Sequence, residues 1–202
     1  MSDTAYEERI VLTMEAFRRN RYDVSRFAER TAAADYLAAE IRGKRVGFGD
    51  SETLRALSLY ERLSEHNEVI DPPRAGHVGG IEAFLAAGRE AFMTDIFVLS
   101  ANAVTEQGQI LNMDGAGNRV AGSLFGHEKT YFVVGINKLV PDIAAGIDRI
   151  HNIAAPRNAH RKGKKTPCAK ALERICNALT IHYKKMSYRP MELVLIEEEL
   201  GL

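Results

Sequence analysis

Helices and short apolar strands alternate along almost the whole chain, which predicts an α/β, Rossmann-like fold with a largely parallel sheet flanked by helices. Three observations carry this. The runs Ile96-Phe97-Val98-Leu99, Tyr131-Phe132-Val133-Val134 and Leu193-Val194-Leu195-Ile196 are short and continuously apolar, as strands covered on both faces are. Segments with apolar residues every third or fourth position separate them. A glycine turn, Gly47-Phe48-Gly49-Asp50-Ser51, joins a strand to a helix.

The first helix is expected over residues 6–20, where Ile10, Met14 and Phe17 share a face and Val11 widens the stripe. Residues 22–28 read as a short strand. Thr31 is placed to cap a second helix, in which Ala33, Leu37 and Ile41 recur every fourth position until Gly43 stops it. A strand enters the glycine turn from Lys44, and helical spacing resumes through Leu54, Leu57 and Leu63. Glu68-Val69-Ile70 reads as a strand closed by Asp71-Pro72-Pro73, followed by a helix over Ile81, Phe84 and Leu85. Near the end, Leu179, Ile181 and Tyr183 alternate with Thr180, His182 and Lys184, the pattern of a strand with one covered face. The 202 residues are read as one domain, 1–202, whose residues 1–43 form a mainly helical N-terminal part.

Composition removes several functions. With 46% hydrophobic and 27% charged residues the chain belongs with ordinary globular proteins, not disordered ones. Lys and Arg together number 27 and so do Asp and Glu, so no net charge draws the chain to nucleic acid or a membrane surface. The basic run Arg157, His160, Arg161, Lys162, Lys164 and Lys165 lacks interleaved aromatics and reads as a solvated loop. No apolar stretch reaches the roughly 18 to 20 residues a membrane helix needs, and the start, Met1-Ser2-Asp3-Thr4 leading into Glu7, Glu8 and Arg9, has no signal-peptide pattern. A cytoplasmic protein is expected. Two cysteines, Cys168 and Cys176, are too few for a disulfide framework.

Ligands of such sheets bind beyond the carboxyl ends of the strands, and three polar loops lie there. Gly47, Gly49, Asp50, Ser51 and Thr53 form a turn that could present N–H groups and hydroxyls to a phosphate or carboxylate. It equally suits a plain helix cap, and the charge of Asp50 would repel an anion. The second loop, residues 100–108, carries Asn102 and Glu106; Glu106 is either a base or nucleophile at the mouth of the sheet or part of a hairpin turn, Glu106-Gln107-Gly108. The third concentrates Asp114, Gly115, Gly117, Asn118 and Arg119 before a helical pattern at Val120, Leu124 and Phe125. That density suits a nest of N–H donors with Arg119 offered to an anion, or a capped helix whose arginine pairs with a neighbouring acid.

These loops belong to a longer pattern. The ordered runs Ser100-Ala101-Asn102-Ala103-Val104-Thr105-Glu106-Gln107-Gly108, Asn112-Met113-Asp114-Gly115-Ala116-Gly117-Asn118-Arg119-Val120, Val134-Gly135-Ile136-Asn137-Lys138, Asn152-Ile153-Ala154-Ala155-Pro156-Arg157-Asn158-Ala159 and Thr166-Pro167-Cys168 resemble the LUD family of lactate-utilisation proteins. The glycine turn with Thr53-Leu54, and the ending Glu197-Glu198-Glu199-Leu200-Gly201, are similar too, so the likeness covers nearly the whole chain. The resemblance implies the Rossmann-like fold of the sugar-phosphate isomerase and CoA-transferase group. It also implies a place beside the iron–sulfur system that oxidises L-lactate to pyruvate, and it adds Asn137 and Lys138 to the candidate anion-binding residues. Family members of this length commonly carry further cysteines between the positions matching Cys168 and Cys176, whereas the segment here is shortened to the outer two. Two thiolates cannot fill a four-ligand site, so either the metal is lost, the expected case in which there is no cofactor, or a second chain or other residues complete a site in which Cys168 and Cys176 are the candidate ligands.

Three functions are consistent with this reading. The first is an accessory or substrate-binding component of organic-acid oxidation, with a small carboxylate or phosphate as ligand and the other proteins of a lactate-oxidation system as partners. The second is a stand-alone enzyme on a sugar phosphate or acyl-CoA, with Glu106 as its base or nucleophile. The third is a non-catalytic, partner-binding subunit that has lost the family's metal cluster. No apolar stripe marks an interface, so a homo-oligomer is left open.

Overall fold

The structure is a computed structural model that describes residues 3–163 and 176–202. In chain order its elements begin with α1 (Asp3–Arg19), β1 (Asp23–Phe27), α2 (Arg30–Glu40), β2 (Arg45–Phe48), α3 (Glu52–Ala56), α4 (Leu59–Ser64), β3 (Glu68–Ile70) and α5 (Pro72–Ala91). They continue with β4 (Ile96–Leu99), β5 (Ala103–Thr105), β6 (Ile110–Asp114), α6 (Asn118–Leu124), β7 (Lys129–Gly135), β8 (Leu139–Val140), α7 (Ile143–Arg149), α8 (Ala155–Arg161), β9 (Ala178–His182) and β10 (Met191–Ile196).

Six strands form a parallel sheet in the order β1-β10-β7-β4-β2-β3. Alternation within each apolar run explains why it is apolar throughout. On β4, Ile96 and Val98 face a core shared with Leu37 of α2, Leu54 of α3 and Leu63 of α4. Phe97 and Leu99 face the opposite core, with Phe17 of α1, Ala91 of α5, and Val104 and Ile110 of a second sheet. Tyr131 and Val133 against Phe132 and Val134 on β7 repeat the division. Each fully buried Leu or Phe adds about 1.5 to 3 kcal/mol, so a charge in any of these runs opposes the sheet on whichever face it lands.

The second sheet has the order β8-β5-β6-β9 and is mostly antiparallel. The alternating segment near residue 180 is indeed a strand, β9, but it pairs with β6 and not with the main sheet. Residues 1–43 contribute β1 as well as two helices, and β1 forms an edge of the main sheet beside β10.

Local expectations shift where a distant residue intervenes. Thr31 lies inside α2, whose N-cap is Glu29 with no side-chain cap bond. The Glu198 carboxylate performs that task, accepting the Arg30 N–H at 2.6 Å while pairing with the Arg30 guanidinium. The helix through Leu54, Leu57 and Leu63 is divided into α3 and α4 at Ser58, whose φ of 48° is left-handed. Asp71 both closes β3 and caps α5 by accepting from the Arg74 N–H, with proline at the first helical position. Gly80, at φ 71° and ψ −158°, kinks α5 halfway. Leu124 and Phe125 are exposed, so of the pattern after Arg119 it is Val120 that packs inward. Among the described residues no helix is long and apolar enough to cross a membrane.

Candidate functional site

The carboxyl ends of β2, β4, β7 and β10 open onto a cavity of about 670 Å³, lined by the segments that follow each strand. Of the residues expected from sequence, Asp50, Ser51, Asn102, Asp114, Gly115, Asn118, Arg119 and Lys138 all line it. Gly49 lines an adjoining cavity of about 960 Å³ that shares Asp50 and Ser51.

Asp50 sits on one wall. Its carboxylate accepts from Arg55 at 2.7 Å, Lys162 at 2.8 Å and Arg161 at 3.4 Å. Burial by itself would raise this carboxyl, but Lys162 and Arg55 outweigh it and hold it well below the usual carboxylate range. The anion at the glycine turn is therefore the protein's own. The basic run expected to be a solvated loop supplies two of its partners. Part of the turn's hydrogen-bonding capacity is used internally as well: the Gly49 N–H donates to the Val98 carbonyl, and the Ser51 hydroxyl oxygen accepts from Leu54 N–H to cap α3.

Arg119 rises from the start of α6, where the Asp114 carboxylate accepts from the backbone N–H groups of Arg119 and Val120. Its guanidinium donates to the Asn102 side-chain oxygen at 3.0 Å and to the Met113 carbonyl. The stem of Arg119 lies against Gly49, where a Cβ would come within 2.8 Å of Arg119 Cγ. That contact gives the second glycine of the turn a steric reason. Among the described residues no side-chain carboxylate lies within ion-pair distance of this guanidinium.

Lys138, on the single 3₁₀ turn after β7, is 3% exposed. Its Nζ lies 2.8 Å from Thr53 Oγ1 and 2.9 Å from Ser100 Oγ, with no carboxylate partner among the described residues. Burial pushes the ammonium down to about 7, and Arg149 and Arg119 add to the shift. The Thr53 hydroxyl donates to the Leu200 carbonyl at 3.3 Å, and Ser100 donates to Thr53 at 3.2 Å. Gly201, at φ 70°, lets the chain end pass over this group, since a Cβ there would meet Thr53 Oγ1 at 2.5 Å.

Other expected residues serve the frame. Gly47 is buried under α5, where a Cβ would come 2.7 Å from the Ala91 carbonyl. Gly117 is the left-handed N-cap of α6. Asn137 accepts the Leu200 N–H and, through its carbonyl, an Arg149 N–H, which ties the chain end to α7. Glu106 does not join the cavity lining: it follows β5 in the hairpin turn and pairs with Arg9 of α1 at 2.6 Å. Cys176 lies on the cavity lining, whereas Cys168 is outside the described residues. Among the described residues no three His, Cys, Asp or Glu side chains are grouped to hold a metal ion. The donor set for a thiolate-held cluster is two cysteines in the whole chain, short of the four such a cluster takes.

Two contributors carried no weight in the sequence reading. Ser100 was visible as the first polar residue after an apolar strand, the position where such sheets place reactive groups. Arg149 had no local signal. It is buried behind Lys138, donating to the carbonyls of Asn102, Asn137 and Leu202 from a helix otherwise like any other.

The fold and site together define an α/β protein with a parallel sheet and a cation-bearing cavity at its carboxyl edge. The chain belongs to the LUD domain family, whose model matches residues 10–196. A solved structure with a similar fold is that of a DUF162 family protein from Deinococcus radiodurans, 11% identical, covering 94% of this chain and 97% of the other at a TM-score of 0.58. No curated protein matches the chain.

Proposed function

We propose that the cavity binds a small organic anion, and that the chain is a substrate-binding or accessory component of organic-acid oxidation. L-Lactate is the first acid to test, given the resemblance to lactate-utilisation proteins. One observation carries the reading: Arg119 and Lys138 line the same cavity without a carboxylate partner among the described residues, while Asp50 on the same lining is already paired. An anion entering there meets a guanidinium donor fixed by Asn102, while the Asp114 carboxylate on the same lining is occupied by the backbone N–H groups of Arg119 and Val120. A carboxylate suits the forked donors of Arg119, and phosphate is the alternative ligand of the same chemistry.

An accessory role also needs a partner chain. Ile81 of α5 is an exposed apolar residue on the cavity lining, and with the exposed Val78 of the same helix it is surface available to a protein of the same oxidation system or to a second copy. The stand-alone reading with Glu106 as base has less support, because Glu106 is engaged by Arg9 away from the cavity.

Calorimetric titration with L-lactate, pyruvate and inorganic phosphate tests the proposal. Arg119→Ala is expected to weaken the ligand that binds by about 1.5 to 3 kcal/mol, the value of a hydrogen bond to a charged group. Equal affinity in the variant would remove Arg119 from the site, and absence of binding by all three anions would overturn the reading.

A further inference from the structure

The Lys138 environment is more specific than anion binding requires. A lysine that serves only as positive charge is best left hydrated or paired with an acid, and this one is neither. The hydroxyl network also has a direction. The Leu200 carbonyl can only accept, so the Thr53 proton goes to it; Thr53 oxygen then accepts from Ser100, whose own proton is thereby used. The alternative acceptor for Ser100, the Ala101 carbonyl, is farther at 3.4 Å. Both hydroxyl oxygens are therefore left to accept from Lys138 Nζ. In the neutral amine those two bonds use both N–H groups, and the lone pair occupies the remaining tetrahedral position, on a side chain that lines the cavity.

We propose that Lys138 is a nucleophile that forms an imine with a small aldehyde or ketone carrying a carboxylate or phosphate, the anionic group being held by Arg119. The inference rests on the anion-binding reading above. Burial supports it by favouring the neutral amine near pH 7, and no carboxylate competes for the nitrogen. In the reaction the nitrogen lone pair bonds to the carbonyl carbon while the C=O π pair moves to oxygen. One N–H proton passes to that oxygen. The nitrogen lone pair then expels the hydroxyl, which takes the second N–H proton and leaves as water. The product is a C=N bond and one water, with no change in oxidation state and no co-reactant.

The test is reductive trapping on the full chain. The protein is incubated at neutral pH with pyruvate, with dihydroxyacetone phosphate, or with acetone as an uncharged control. Cyanoborohydride is then added, and the adducts are located by peptide mass spectrometry. The expected result is a reduced adduct on Lys138 exceeding that on any other lysine by about tenfold or more, with one of the charged probes and not with acetone. Its loss in Lys138→Met, a substitution of similar length without an amine, and its reduction in Arg119→Ala complete the pattern. The two charged probes separate carboxylate from phosphate as the anchoring group. L-Lactate, which has no aldehyde or ketone group, separates the two readings: if lactate binds in titration but no probe modifies Lys138, the imine is overturned and the anion site stands. Adducts spread evenly over exposed lysines would overturn the imine as well, and failure of every anion to bind would overturn both.

Discussion

Asp50 and Lys138 line the same cavity and both are largely buried, yet Asp50 has three cations around its carboxylate while Lys138 has two hydroxyls and no acid among the described residues. On the Asp50 wall the cost of removing a charge from water is offset by neighbours of opposite sign, so the carboxyl stays ionised. On the Lys138 wall nothing offsets it, and the ammonium gives up its proton more readily, at about 7. Burial is common to both; the partner decides the protonation state. A wall whose charge is satisfied is framework, and a wall whose charge is not is where a ligand gains most.

The largest effect expected from breaking this contrast is in the pH dependence of stability. Lys138 has a folded value of about 7 against 10.5 for the free side chain, so between those limits the unfolded chain holds a proton that the folded chain lacks. Stability contributed by this group therefore rises with pH across that window. Urea denaturation of the wild type should gain on the order of 2 to 4 kcal/mol from pH 7 toward pH 10 relative to Lys138→Met, which has nothing to titrate there. Parallel pH profiles for the two proteins would show that the lysine is hydrated and charged.

A buried group outside the cavity sharpens the comparison. His182 on β9 contacts Ser123 Oγ at 3.0 Å, and burial, aided by Arg189, lowers its value to about 4. Below 6.5 the unfolded histidine charges first, so stability falls as pH drops from 6.5 toward 4. The expected loss is about 1 to 3 kcal/mol, absent from His182→Gln, and thermal melts at pH 7 and pH 4.5 measure it.

The smallest effect belongs to the satisfied wall. Asp50→Asn leaves Arg55, Arg161 and Lys162 near a neutral amide and should cost about 1 to 2 kcal/mol at neutral pH. Because the folded carboxyl lies below its ordinary 3.8, the wild type's advantage is complete above that value and disappears as pH falls through the folded one. A gap between wild type and variant that persists unchanged into strong acid would mean that Asp50 acts through packing and not through its charge.

The legibility of these features follows their range along the chain. The strands at Ile96, Tyr131 and Leu193 were readable because burial on both faces writes itself into consecutive residues. Arg119 was readable for a different reason, the local crowding of glycines and polar groups around it. Glu106 sat in an equally suggestive loop, and its role depended on Arg9, 97 residues earlier, which no local pattern marks. The helix cap shows the same limit: Thr31 has the right chemistry beside α2, but Glu198 reaches the Arg30 N–H from 168 residues away. The alternation at Leu179 identified a strand without its partner, because period-two patterning records that a face is covered and not by what.

By itself, then, the sequence determined the α/β class, most strand positions, and the loops at the carboxyl edge from which an anion site could be built. Periodicity and residue type act over a few positions, and those are the properties they set. Only the tertiary structure decided which charges on those loops remain unsatisfied. The carboxyl edge of a parallel sheet brings Thr53, Ser100 and Lys138 to one point from three separate crossovers. Whether a buried lysine is a charge or a nucleophile depends on what stands within a few ångströms of its nitrogen, which is a property of the assembled fold.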